Sequence, residues 1–154
     1  MWERLRRFSA WEWEAQSLFL RAMALLPAVT LSLRWRGFQA TQSTLLKTLS
    51  NGIPETDSGV VKKRVVLTAH MVHAADRHGL VHLSCLAKSL ALWWLLGRQG
   101  ISAQLRIGIR KENGKFEAHA WVERDGAALN EPEEHHHHYA AFDEAFSSLP
   151  QSEQ

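Results

Sequence analysis

One cysteine in 154 residues, Cys85, excludes more than any abundance in the chain. An intramolecular disulfide needs two thiols, and a zinc centre built on thiolates needs more than one, so the fold must rest on its own core. A surplus of one charge is lacking too. Eighteen Lys and Arg face sixteen Asp and Glu, a formal net charge of +2, far from the basic footprint of a dedicated nucleic-acid binder. Long apolar runs are also missing. The nearest approach, Leu18 to Leu33, is interrupted by Arg21 and Pro27 and separated from the basic Arg4, Arg6 and Arg7 by Trp11-Glu12-Trp13-Glu14, and no small-residue cleavage site follows cleanly. Neither a transmembrane segment nor a signal peptide is therefore expected. A lone thiol fits a reducing cytoplasm.

What is present is globular: 45% hydrophobic and 22% charged residues, in a length that suits one domain with its own core. We expect a single α+β domain over 1–154, with a helical N-terminal subregion (1–50), a core (59–131) and a polar tail (132–154). Ser9 with Glu12 resembles a capping box for a helix from near Ala10, and Pro27 is expected to end or kink it. The turn formers of Ser50 to Ser58 mark a boundary. Val60, Val61, Arg64, Val65, Leu67, Thr68, Met71, Val72 and Ala75 fit an amphipathic helix ending near Gly79, with Lys62, Lys63 and Arg64 on its solvated face. A linker to Ser84 delivers a third helix, which starts at Cys85 and is closed by Gly97 and Gly100. Gln104 to Lys111 alternates as a strand. Asn113-Gly114 is a hairpin turn, and Phe116 to Glu123 is the return strand. Arg124-Asp125-Gly126 turns into a short strand ending at Leu129 and Asn130. Tyr139, Phe142 and Phe146 suggest a docking helix in the tail.

Cys85 is the first residue to suspect of chemistry. A lone cysteine is most often buried filler, but a thiol in the first turn of a helix faces backbone N–H groups and the positive end of the macrodipole, which suits a nucleophile. A thiol nucleophile needs a base, and that base needs an orienting acceptor. His119 is the candidate base, on the less hydrophobic face of a strand expected beside the Cys85 helix. Glu131, Asn130 and Asp125 are the candidate orienters; Asp125 is most simply a turn residue, and Glu131 ends the next strand. Histidines elsewhere invite a metal. Four in a row in an acidic loop, His135 to His138, rarely form a pre-organised tetrahedral set, and His70, His73 and His78 are read without a shared ion. No metal and no cofactor are expected.

The ordered pair Ser84-Cys85-Leu86-Ala87-Lys88-Ser89-Leu90-Ala91-Leu92 and Phe116-Glu117-Ala118-His119-Ala120-Trp121-Val122-Glu123, with Gly100-Ile101-Ser102-Ala103 and Leu105-Arg106-Ile107-Gly108-Ile109 between, resembles the transglutaminase-like cysteine peptidases of lasso-peptide biosynthesis, the B-type leader peptidases. The resemblance runs from about Val60 to Glu131. It implies a transglutaminase-like or papain-like fold, with a cysteine-bearing helix packed on a small antiparallel sheet, and cleavage of a leader peptide from a ribosomally made precursor. Cys85 then takes the nucleophile position, His119 the base position and Glu131 the orienting position, where the family usually has Asp. The partners implied are the precursor leader, a separate leader-recognition protein and a lasso cyclase. The same fold also suits a transglutaminase-like acyl transferase or a non-catalytic peptide-binding module.

Overall fold

Three helices and a small antiparallel sheet follow one another along the chain: α1 (Trp2–Thr48), α2 (Ser58–His78), α3 (Cys85–Arg98), β1 (Gln104–Glu112), β2 (Lys115–Arg124), β3 (Ala127–Ala128) and β4 (Ala140–Ala141). This computed structural model describes residues 2–49, 54, 57–79, 83–130 and 140–141. Glu131, the histidine tract and the tail aromatics lie outside the described residues.

Each helix begins and is buried as its side chains dictate. Asp57 caps α2 by accepting from the N–H groups of Gly59 and Val60, and Val61, Val65, Thr68, Val72 and Ala75 line its buried face at spacings of four and three. Ser84 caps α3 by accepting from Ala87 N–H at 3.2 Å, which starts the helix at Cys85. Leu90, Ala91, Leu92, Leu95 and Leu96 of α3 are all buried, so α3 is the axis of the core. Leu18, Ala22, Leu26 and Val29 turn the buried row of α1 inward.

Four expectations are corrected. Ser9 does not start a helix, because α1 already runs from Trp2 through it. Pro27 does not end α1; the break falls at Gly37, whose φ of 79° and ψ of 176° are open to glycine alone. Thr41 mends that break by donating to the Gly37 carbonyl at 2.8 Å, with its hydroxyl also 2.8 Å from that of Ser32. Gly97 lies inside α3 rather than closing it. A Cβ there would stand 2.9 Å from Leu49 Cδ2, so the glycine serves close packing, while Gly100, at φ 74°, is the residue that turns the chain away. Finally, the described piece of the tail is strand: Ala140 and Ala141 pair with Ile109 and Gly108.

The sheet follows the expected hairpins. Asn113-Gly114 and Asp125-Gly126 all have positive φ, as tight two-residue turns require. Strand order is β3-β2-β1-β4, and β1 pairs with β2 so that Leu105 faces Val122 and Ile107 faces Ala120. Leu105 and Val122 join the same core as α3. The far end of α3 is tied to α1: Trp94 Nε1 donates to Thr48 Oγ1 at 2.9 Å, and an Arg98 guanidinium nitrogen donates to the Thr48 carbonyl at 3.1 Å.

If α3 is the axis of the core, Leu92→Ala will lower unfolding free energy by about 2–5 kcal/mol. Phe116→Ser on the exposed hairpin will stay within about 0.5 kcal/mol of the parent. Urea denaturation of the two variants checks both.

Candidate active site

The first turn of α3 carries Cys85, half-buried, and Lys88 beside it. Lys88 Nζ donates to Asp76 Oδ2 at 3.1 Å, and both side chains are largely shielded. That pair ties the first turn of α3 to α2 and balances the charge of Lys88. Between α2 and the chain leaving β2 lies an open cleft of about 550 Å³, into which Cys85 and Lys88 face. Val65, Ala69, His70 and His73 form its α2 wall, and Ala128, Leu129 and Asn130 form the other. The wall is mostly apolar, with imidazoles and one amide as its polar groups.

One turn beyond Cys85, Ser89 is fully buried. Its hydroxyl donates to the Ala120 carbonyl of β2 at 2.9 Å and accepts from Asn130 Nδ2 at 3.0 Å. Asn130 Oδ1 in turn accepts from the Val122 N–H at 2.9 Å, beside the backbone bond from Leu129 N–H to the Val122 carbonyl. A serine and an asparagine thus join α3, β2 and the segment after β3. Residues i and i+4 share a helix face, so the clamp holds the Cys85 face of α3 to the stretch of β2 that contains His119.

His119 is half-buried on β2, with Nε2 shielded from solvent. Strand alternation turns it to the opposite face from Ala120 and Val122. There its ring stacks on Trp121, with centroids 6.1 Å apart and planes 18° from parallel. Trp121 Nε1 donates to Glu123 Oε2 at 3.3 Å, and Glu123 Oε1 lies 3.8 Å from Arg106 Nη2. This row limits the imidazole's freedom from the side. His119 is not among the residues lining the Cys85 cleft.

Of the candidate orienters, Asp125 is an exposed turn residue at φ 51°, 3.6 Å from Arg124 Nε, and does not line the Cys85 cleft. Asn130 reaches the site, but its amide is engaged at both ends by Ser89 and Val122, so it positions the chain. Glu131 follows it directly, outside the described residues. Among the described residues no cluster of His, Cys, Asp and Glu is arranged to hold a metal ion. His78, read with His70 and His73 from its spacing, instead meets Phe19 edge-on at 6.2 Å. Sequence reading missed Ser89 and the two cleft histidines. The available signal was a serine four residues after the cysteine, inside an otherwise apolar run.

A family model described as the transglutaminase-like superfamily matches residues 23–142. The chain belongs to the transglutaminase-like superfamily. That match extends from within α1 to β4 and agrees with the α+β architecture of helices and a small antiparallel sheet. The superfamily includes cysteine peptidases and acyl transferases. No curated protein and no solved structure matches the chain.

Removing either end of the clamp leaves a buried polar group without its partner. Ser89→Ala and Asn130→Ala are each expected to destabilise this transglutaminase-like domain by about 1–3 kcal/mol. Because the two side chains share one bond, the double variant will depart from additivity by about 0.5 kcal/mol or more. Urea titration of the four proteins in the cycle measures the coupling.

Proposed function

We propose that this chain is a cytoplasmic cysteine peptidase that removes the leader from a ribosomally made lasso-peptide precursor. The observation that supports it is the Ser89 clamp, whose three anchor points adjoin the three candidate catalytic residues. Ser89 lies one turn after Cys85, Ala120 follows His119, and Asn130 precedes Glu131. On this reading one hydrogen-bonded unit ties the helix that carries the nucleophile to the strand that carries the base and to the residue before the orienter.

In this reading the precursor enters the cleft beside Cys85 as an extended segment, with side chains against the apolar wall of α2. His119 accepts the thiol proton, and the sulfur attacks the scissile carbonyl. The Cys85 N–H, in the first turn of α3 where helix amides have no intrahelical partner, donates to the developing oxyanion. The C–N bond breaks as His119 returns the proton to the leaving amine. Water then attacks the thioester, releasing the new carboxyl group and restoring the thiol. Glu131 holds the imidazole through its other nitrogen, with a side chain one methylene longer than the usual Asp.

The reading assigns leader capture to a discrete leader-recognition protein and the released core peptide to a cyclase. Mixing the chain with precursor and that recognition protein, followed by mass spectrometry, is expected to show one hydrolytic cut. Cys85→Ala and His119→Ala are each expected to slow it by about a thousandfold or more. Cleavage by Cys85→Ala at the parent rate would overturn the nucleophile. An isopeptide product with added amine, and no leader release, would assign the site to acyl transfer instead.

A further inference from the structure

Helix α1 is apolar on two opposite sides. Its buried row, Leu18, Ala22, Leu26 and Val29, packs into the core with α2 and α3. Yet Trp13, Leu20, Leu31 and Trp35 remain 75%, 66%, 48% and 77% exposed. At about 100° per residue these four and Ala24 fall in one sector about 60° wide, directly opposite the buried row. A helix covering a soluble core ordinarily places charge there. The stripe has a tryptophan at each end, and the two are about 33 Å apart at 1.5 Å per residue.

Charge identifies what this face fits. No Asp or Glu occurs from residue 15 through 54, a stretch containing Arg21, Arg34, Arg36 and Lys47. Two acids, Glu12 and Glu14, flank Trp13 at the head of the stripe, and Glu14 lies 3.9 Å from Arg64 Nε of α2. Arg21 and Arg34 are exposed on either side of the stripe. A second copy would bring these cations against one another with no acid from the same stretch to meet them. An anionic phospholipid surface satisfies both features together: the tryptophans and leucines enter the boundary between headgroup and acyl chain, and the arginines meet headgroup phosphates. By length and composition α1 is able to cross a membrane, but its inner row is occupied by the protein's own core, which leaves it lying along a surface.

We propose that the outer face of α1 binds an anionic phospholipid surface in its plane, with Trp13 and Trp35 as end anchors and Arg21 and Arg34 on the phosphates. The test is flotation of the full chain with vesicles of phosphatidylglycerol and phosphatidylcholine in equal parts, against phosphatidylcholine alone. The protein is expected to float with the anionic vesicles and to be released as salt rises. Trp13→Ser with Trp35→Ser is expected to lower the partition coefficient by about tenfold or more, and Arg21→Gln with Arg34→Gln to abolish the preference for phosphatidylglycerol. Unchanged circular dichroism melts will show that these surface changes leave the fold intact. Absence of flotation, or equal partition onto both vesicle types, would overturn the proposal. So would a dimer in sedimentation velocity that the tryptophan variant abolishes without any flotation, which would assign the face to a second copy.

Discussion

The hydroxyl of Ser89 is the constraint on which the rest of the site depends. It is buried inside the most apolar helix of the chain, where an unmatched hydroxyl costs about 1–3 kcal/mol, and both its donor and its acceptor capacity are used. That cost makes the arrangement selective. A slide of α3 along β2 by one residue would strand the hydroxyl, the Asn130 amide and the Ala120 carbonyl together, whereas leucines alone would tolerate small shifts. Apolar packing holds α3 in the core, and the Ser89 bonds fix its register against the sheet.

Register matters here because the elements approach one another from separate parts of the chain. Ser89 and Asn130 are 41 residues apart, and Ser89 and Ala120 are 31 apart. Two tight turns bring β1, β2 and β3 into line, but neither turn reaches α3. The backbone bond from Leu129 to Val122 and the side-chain bond from Asn130 to the same residue extend the pairing of β3 beyond its two residues. The short strand thus ends with its exit direction fixed.

Local chemistry was legible in the sequence wherever one residue decides the backbone. The Asn-Gly and Asp-Gly turns and the start of α3 at Cys85 appear in the structure where the residues place them, whereas burial along β2 does not alternate: Ala120, Trp121 and Val122 are buried in succession and Phe116 is exposed. Legibility failed where packing overrides local preference. Proline inside a helix costs about 3 kcal/mol, yet the row Leu18, Ala22, Leu26 and Val29 spans Pro27, and each fully buried large aliphatic side chain contributes about 1.5–3 kcal/mol. Several such side chains outweigh one proline, so α1 continues. Gly37 interrupts it despite a less conspicuous sequence signal, because the break needs a positive φ more than it needs a missing N–H. The two-sided apolar pattern of α1 likewise obscured which row faces the core.

The site was half legible for a related reason. Cys85 and His119 announce themselves by type and context, whereas Asn130 offers the same functional groups to two different roles, and only its bonds distinguish them. An amide that orients a histidine must present its oxygen to the ring; Asn130 presents that oxygen to a main-chain N–H of β2 and its nitrogen to Ser89. On the proposed reading, positioning and orientation therefore fall to consecutive residues. Asn130 fixes where the chain leaves the sheet, and Glu131 supplies the carboxylate. This division narrows what the longer side chain must accommodate: with the preceding residue anchored at both ends of its amide, the added methylene is the one chemical difference from Asp that the proposed orienter carries.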